Sequence, residues 1–219
     1  MSNALKVFLL TFSALFPIVD PLSGSPIFLG LTPGLSPKMR RGLSYWVALD
    51  SFFLMIGSYL IGAHVLSFFG VSLPVVQVGG GLIVVAVGWT MLMAKDQQRQ
   101  SPCDPVQPQD QLSHAFYPLT LPLTVGPGSI SVAVTLGANT TRHYGMHIWL
   151  IFAALISMAL IAVSVFLCYA FSDRLARLIG ETGMNVIIRL SSFLLVCIGV
   201  QIMWNGISAL VSSLPLHIH

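Results

Sequence analysis

Apolar residues run along this chain in blocks too long for one face of a soluble helix. Asp, Glu, Lys and Arg are absent from Ser51–Ala94, Gln111–Thr141, His143–Ser172 and Leu190–His219. Between Val7 and Pro37 the only charge is Asp20. A hydrocarbon core of about 30 Å takes about 20 apolar residues per helix. Ser51–Ala94 holds most of two such helices, with Phe69-Gly70-Val71-Ser72-Leu73-Pro74 as the break. The pattern predicts six spans, at about 5–32, 43–68, 75–94, 115–138, 146–171 and 187–211. The first apolar run has one Lys before it, as a signal peptide has. No small-x-small cleavage site follows, so it is taken as a span.

Composition agrees. Of 219 residues 17 are charged, or 8 %, against roughly 25 % in soluble domains. Hydrophobic residues make up 55 % and mean hydropathy is +0.86. So few charges cannot cover a soluble surface. A soluble enzyme, a disordered chain and a basic nucleic-acid binder are excluded. The net charge of +3 defines no polyanion partner. Cys103, Cys168 and Cys197 form neither a disulfide framework nor a zinc spacing.

With six crossings the basic residues divide unevenly. Lys6 and Arg142 lie on one side. Lys38, Arg40, Arg41, Lys95, Arg99, Arg174, Arg177 and Arg189 lie on the other. This bias places the second side in the cytoplasm and both termini outside. The polar segment 95–113 is a linker between a first repeat, 1–94, and a second, 114–219. Together they form one membrane domain.

The halves share a motif at an offset of 101 residues. Phe16-Pro17 matches Tyr117-Pro118, Pro21-Leu22-Ser23 matches Pro122-Leu123-Thr124, and Ser25-Pro26 matches Gly126-Pro127. Gly81-Leu82-Ile83-Val84-Val85-Ala86-Val87-Gly88 also parallels Ser192-Phe193-Leu194-Leu195-Val196-Cys197-Ile198-Gly199. Three spans per half is an odd number, so the second half enters from the opposite face. That is an inverted-topology repeat, a common transporter plan. The expected fold is therefore an all-α membrane protein of two inverted three-span repeats, with spans 1 and 4 broken by Pro/Gly motifs.

Proline removes a donor inside a helix but suits its first position. Helix is thus expected to stop near Pro17 and Pro118. It restarts at Pro26 and Pro127, capped by Ser25 and Gly126. Residues 5–16 alone would cover about 18 Å. Non-helical backbone at membrane depth must be buried in protein or line a wet cavity. Unpaired N–H groups there suit a carboxylate, and freed carbonyls suit an ammonium or small cation. A small zwitterionic solute offers both partners. Ordinary proline kinks, or a re-entrant hairpin returning to its own face, are the alternatives.

Pro17-Ile18-Val19-Asp20-Pro21-Leu22 with Pro26-Ile27-Phe28, and Pro118-Leu119-Thr120-Leu121-Pro122-Leu123 with Gly126-Pro127-Gly128, resemble the MarC family of bacterial and archaeal integral membrane proteins. Gly79-Gly80-Gly81-Leu82 and Gly183-Met184-Asn185-Val186-Ile187-Ile188-Arg189-Leu190 resemble it too. The resemblance covers nearly the whole chain. It implies a six-span protein of the cell inner membrane, and some members are linked to transport of glycine and alanine. This sequence departs from the family pattern at Asp20, where many members have Asn, at Gln77, where Arg is common, and at Ser23 and Gly24.

The candidate substrate-binding residues are Asp20, Pro21, Ser23, Gly24, Pro122, Thr124, Gly126, Pro127 and Gly128. Asp20, Asp50 and Arg189 are the candidates for ion coupling. An acid inside an apolar span is costly and usually faces a cavity. Asp20 can bind an ammonium, coordinate Na⁺ or carry a proton; the plain alternative is a helix cap. Asp50 can pair with Arg189 or sit as an interfacial acid near Arg40 and Arg41. Ser23, Thr124 and Ser129 can donate to a solute or merely cap helices. Arg189 is an interfacial anchor or a buried partner for Asp20 or Asp50. No cofactor or metal site is expected, with Na⁺ or H⁺ as the coupling choices. No catalytic constellation, HExxH or Walker loop occurs, so no enzyme is expected. The expected function is secondary transport of small neutral amino acids by alternating access. A membrane scaffold or accessory subunit is the competing class.

Overall fold

The computed structural model describes residues 3–32, 35–93, 115–144 and 147–213. The linker 95–113 lies outside the described residues. Every described element is helical. They are α1 (Asn3–Val19), α2 (Pro21–Leu31), α3 (Pro37–Phe68), α4 (Leu73–Met93), α5 (Ala115–Thr124), α6 (Pro127–Tyr144), α7 (Ile148–Ala170) and α8 (Ser172–Ser212).

Among the described residues, five stretches are long and apolar enough to cross a membrane: Asn3–Leu31, Pro37–Phe68, Leu73–Met93, Ile148–Ala170 and Thr182–Ser212. The expected fourth span, 115–138, is not one such helix. It consists of α5, wound with π-type turns, and α6, with Val125 and Gly126 between them. Prolines account for this. Tyr117 (φ −129°, ψ 126°) and Leu121 (φ −104°, ψ 124°) are extended. Each directly precedes a proline, whose ring disfavours helical backbone in the residue before it. Hydroxyls then take carbonyls that regular turns would have used. Thr120 donates to Ala115 O at 2.8 Å and Thr124 to Leu119 O at 2.7 Å.

The first half departs from the expected break between Pro17 and Pro26. Both prolines lie inside helices, Pro17 in α1 and Pro26 in α2. Only Asp20 leaves the helical region, at φ 41° and ψ 64°. Its N–H still donates to Phe16 O at 3.0 Å, and its carbonyl accepts from Gly24 N–H at 3.0 Å. One lost hydrogen bond per proline kinks a helix without ending it. Pro21 takes the first position of α2, and Asp20 rather than Ser25 is its cap. Ser25 instead donates its hydroxyl across to Cys168 O on α7 at 3.0 Å.

α7 shows how the bundle meets its surroundings. Ala154, Met158, Ile161 and Val165 are buried against α1 and α3, whereas Trp149, Phe152, Ile156, Leu160 and Leu167 are exposed. Both faces are apolar, one for protein and one for lipid. α4 and α8 pack antiparallel along their glycines. A Cβ at Gly81 would meet Gly199 O at 2.7 Å, and one at Gly88 would meet Ser192 O at 2.9 Å. Small residues let the two backbones approach this closely. Gly180, at φ 71°, sets Ser172–Ile179 apart from the rest of α8.

Candidate functional site

A cavity of about 440 Å³ lies where the end of α1 meets α2, α4, α5, α6 and α8. It is lined by Asp20, Ser23 and Gly24 from the first half and by Thr124, Gly126, Pro127, Gly128 and Ser129 from the second. The two copies of the repeated motif, 101 residues apart in sequence, therefore face one space. Ile83, Val84, Val87 and Leu195 supply an apolar wall. Asp20 is the only charged residue among the described lining residues.

Asp20 is placed by its own backbone. It is the only described non-glycine residue in the left-handed region, which Asp tolerates better than most residues. Its Oδ1 accepts from Ser23 N–H at 3.4 Å. Its Oδ2 is buried and has no hydrogen-bond partner among the described residues, and the same holds for the Ser23 hydroxyl. The Ser191 hydroxyl of α8 lies toward the same carboxyl. A buried carboxylate oxygen without a partner is costly, so it calls for a donor or a cation.

The second half contributes the opposite polarity. α6 begins at Pro127, and its first-turn N–H groups lack acceptors within the helix. The hydroxyl of Ser129 donates to Gly126 O at 2.9 Å rather than capping those groups. Gly128 approaches Val84 so closely that a Cβ would overlap its side chain. α2 has its positive end answered by Asp20, while α6 presents its own to the cavity.

Thr124 is held by two partners. Its proton goes to Leu119 O, so the hydroxyl of Tyr169 donates to Thr124 Oγ1, at 3.0 Å. Tyr169 is fully buried, stacks on Phe28 at 4.6 Å and abuts Gly24. It fixes the floor beneath both motif copies.

The remaining candidates lie elsewhere. Pro21 sits at the start of α2 and is not among the residues lining the cavity; Pro122 lies within α5, and its side chain is outside the described residues. Asp50 is half-buried in α3, Arg189 is exposed on α8, and neither forms an ion pair among the described residues. The only described ion pair joins Arg40, 6 % exposed, to Asp173. Arg40 Nε also donates to Thr32 Oγ1 at 3.1 Å and NH2 to Thr32 O at 3.0 Å. It thereby ties the end of α2 to the start of α8. No group of three His, Cys, Asp or Glu side chains gathers among the described residues.

A family model described as MarC family integral membrane protein matches residues 5–211. The chain belongs to the MarC family. Relatives named inner membrane protein MarC occur in Salmonella typhimurium, 34 % identical over 97 % of this chain and 99 % of theirs. The Citrobacter koseri relative is 33 % identical and the Escherichia coli one 31 %, at the same coverage. No solved structure matches. MarC membership, with the apolar helices, makes this a multi-pass inner membrane protein.

Within this MarC chain, sequence reasoning did not single out Tyr169, Ser191 or the Arg40–Asp173 pair. Tyr169 carried one signal, a hydroxyl at the end of an otherwise apolar run. Nothing in the sequence joins Arg40 to a residue 133 positions away.

Proposed function

We propose that this MarC protein is a secondary transporter of small neutral amino acids of the glycine and alanine type. It works by alternating access between two inverted three-span halves, with both termini outside. The observation that carries the proposal is the shared cavity. It holds an unpartnered carboxylate oxygen at Asp20 and the N-terminal start of α6 at Gly126–Ser129. Asp20 takes the ammonium of the solute, and the α6 N-terminus takes its carboxylate. The volume lies within the range of small-molecule sites, about 300–1,000 Å³. Asp20 is also the place for a coupling Na⁺ or H⁺. Asp50 and Arg189 would act only in another conformation, since both lie away from the cavity.

Packing supports the inverted repeat. Exchanging the halves turns the packed pairs α1–α7, α2–α8 and α2–α7 into α5–α3, α6–α4 and α6–α3, which also occur. The pair α4–α8 maps onto itself. At the offset of 111 relating Gly81 to Ser192, the contact of Gly81 with Gly199 becomes that of Ser192 with Gly88. A pseudo-two-fold axis in the membrane plane makes such a self-paired pair antiparallel, as α4 and α8 are. An axis along the membrane normal would make it parallel.

A thermal-shift series on the purified protein tests the binding step. Glycine and alanine, with and without Na⁺ and across pH, should raise the melting temperature. Methylamine and acetate, each with one of the two charged groups, should fall well short. No response to any amino acid would favour a scaffold or accessory subunit.

A further inference from the structure

We infer that the junction of α7 and α8 is a binding site for the phosphate headgroup of an anionic phospholipid. This inference is independent of the transport proposal. Phe171 stands between α7 and α8. Arg41, near the start of α3, places its guanidinium carbon 5.1 Å from the centre of the Phe171 ring, and Arg174 places its own at 5.5 Å. Both arginines are exposed, and neither has a carboxylate partner among the described residues. The acid nearby, Asp173, is already engaged by Arg40.

A guanidinium resting on an aromatic ring keeps its N–H edges for other acceptors. Two guanidiniums within 5.5 Å of one ring centre gather positive charge and N–H donors at one place, which suits phosphate oxygens. Exposed Lys38 and Arg177 add positive charge around it.

Three observations put this pair of arginines at the membrane surface rather than in bulk water. Tyr45 lies one turn beyond Arg41 on the same face of α3 and is 55 % exposed, with Trp46 beside it at 40 %. Exposed Tyr and Trp of this kind mark the headgroup level. Leu178, on the segment Ser172–Ile179 set apart by Gly180, is 84 % exposed. An apolar side chain so placed beside Arg174 and Arg177 suits a segment lying in the interface. The acyl chains would then run past Tyr45 along the apolar outside of α3. A zwitterionic lipid brings an ammonium that two guanidiniums repel, so the site selects a lipid of net negative charge. Free phosphate shares the headgroup chemistry but lacks the chains.

The test is lipid retention and thermal stability of the purified protein in detergent. Phosphatidylglycerol, phosphatidylcholine and inorganic phosphate are added separately. Phosphatidylglycerol should be retained and raise the melting temperature more than phosphatidylcholine does. Inorganic phosphate should not reproduce the rise. Arg41→Gln and Arg174→Gln should each lower phosphatidylglycerol retention about fivefold, with unchanged elution as a folded monodisperse species. Lys6→Gln, on α1, should leave retention unchanged. Should either arginine variant fail to fold, Phe171→Leu, which removes the platform and keeps both charges, should lower retention instead. Equal retention of the two lipids, or full retention in a folded arginine variant, would overturn the site. Inorganic phosphate matching the lipid would overturn the lipid assignment.

Discussion

At the residue scale the site rests on Asp20. Its position could be read from the sequence, because a single acid in an apolar run beside a duplicated proline motif has few roles. Its conformation could not. The choice of left-handed backbone at Asp20, and of helical backbone at Phe16 and Ser25 before the other prolines, depends on packing against α7. Asp20→Asn keeps the shape and removes the charge. It should weaken glycine binding by about 1.5–3 kcal/mol, the worth of a charge-assisted hydrogen bond, measured as the glycine concentration needed for half the thermal shift. Gly24 gives a second test. A Cβ there would overlap the Tyr169 hydroxyl. Gly24→Ala should cost about 1–3 kcal/mol of stability, the usual range for overpacking, and Tyr169→Phe should restore part of it. Failure of that rescue would mean that the Gly24–Tyr169 contact does not set the floor of the cavity.

At the element scale glycines and one buried arginine decide how helices meet. The sequence pattern located α4 and α7 within two residues at each end and α3 and the spanning part of α8 within six, since apolar length alone defines them. It overestimated the break in span 1, and in span 4 it placed the restart at Pro127 but expected helix to stop near Pro118, where π-type turns continue to Thr124. Tyr117 and Leu121 show why: local proline rules act on single residues, and tertiary partners decide whether a helix survives them. Gly199→Ala should destabilise the protein by about 1–3 kcal/mol. Its Cβ would lie 2.7 Å from Val85 N and 2.8 Å from Gly81 O, and backbone cannot move aside. Gly79→Ala, with nothing within 4 Å, should be near neutral in the same denaturation series. The Arg40–Asp173 pair should show a coupling of about 1 kcal/mol in a double-mutant cycle. That is less than for a fully buried pair, because the Asp173 side chain is 40 % exposed.

At the scale of the whole molecule, the scarcity of charge alone, 17 charged residues in 219, marks a membrane protein independently of any motif. The cavity could not be foreseen in the same way. Its walls come from α1, α2, α4, α5, α6 and α8, and sequence supplies no distances between them. What the sequence did supply was the repeat, and the repeat directed attention to residues that the fold then brings to one space. Flux through that space is the decisive observable. Purified protein in liposomes should carry radiolabelled glycine at a saturable rate above protein-free vesicles, with unlabelled alanine competing. Folded Asp20→Asn should lose most of that flux. Flux at the wild-type rate in Asp20→Asn, or no flux of any small neutral amino acid by the wild type, would contradict the account.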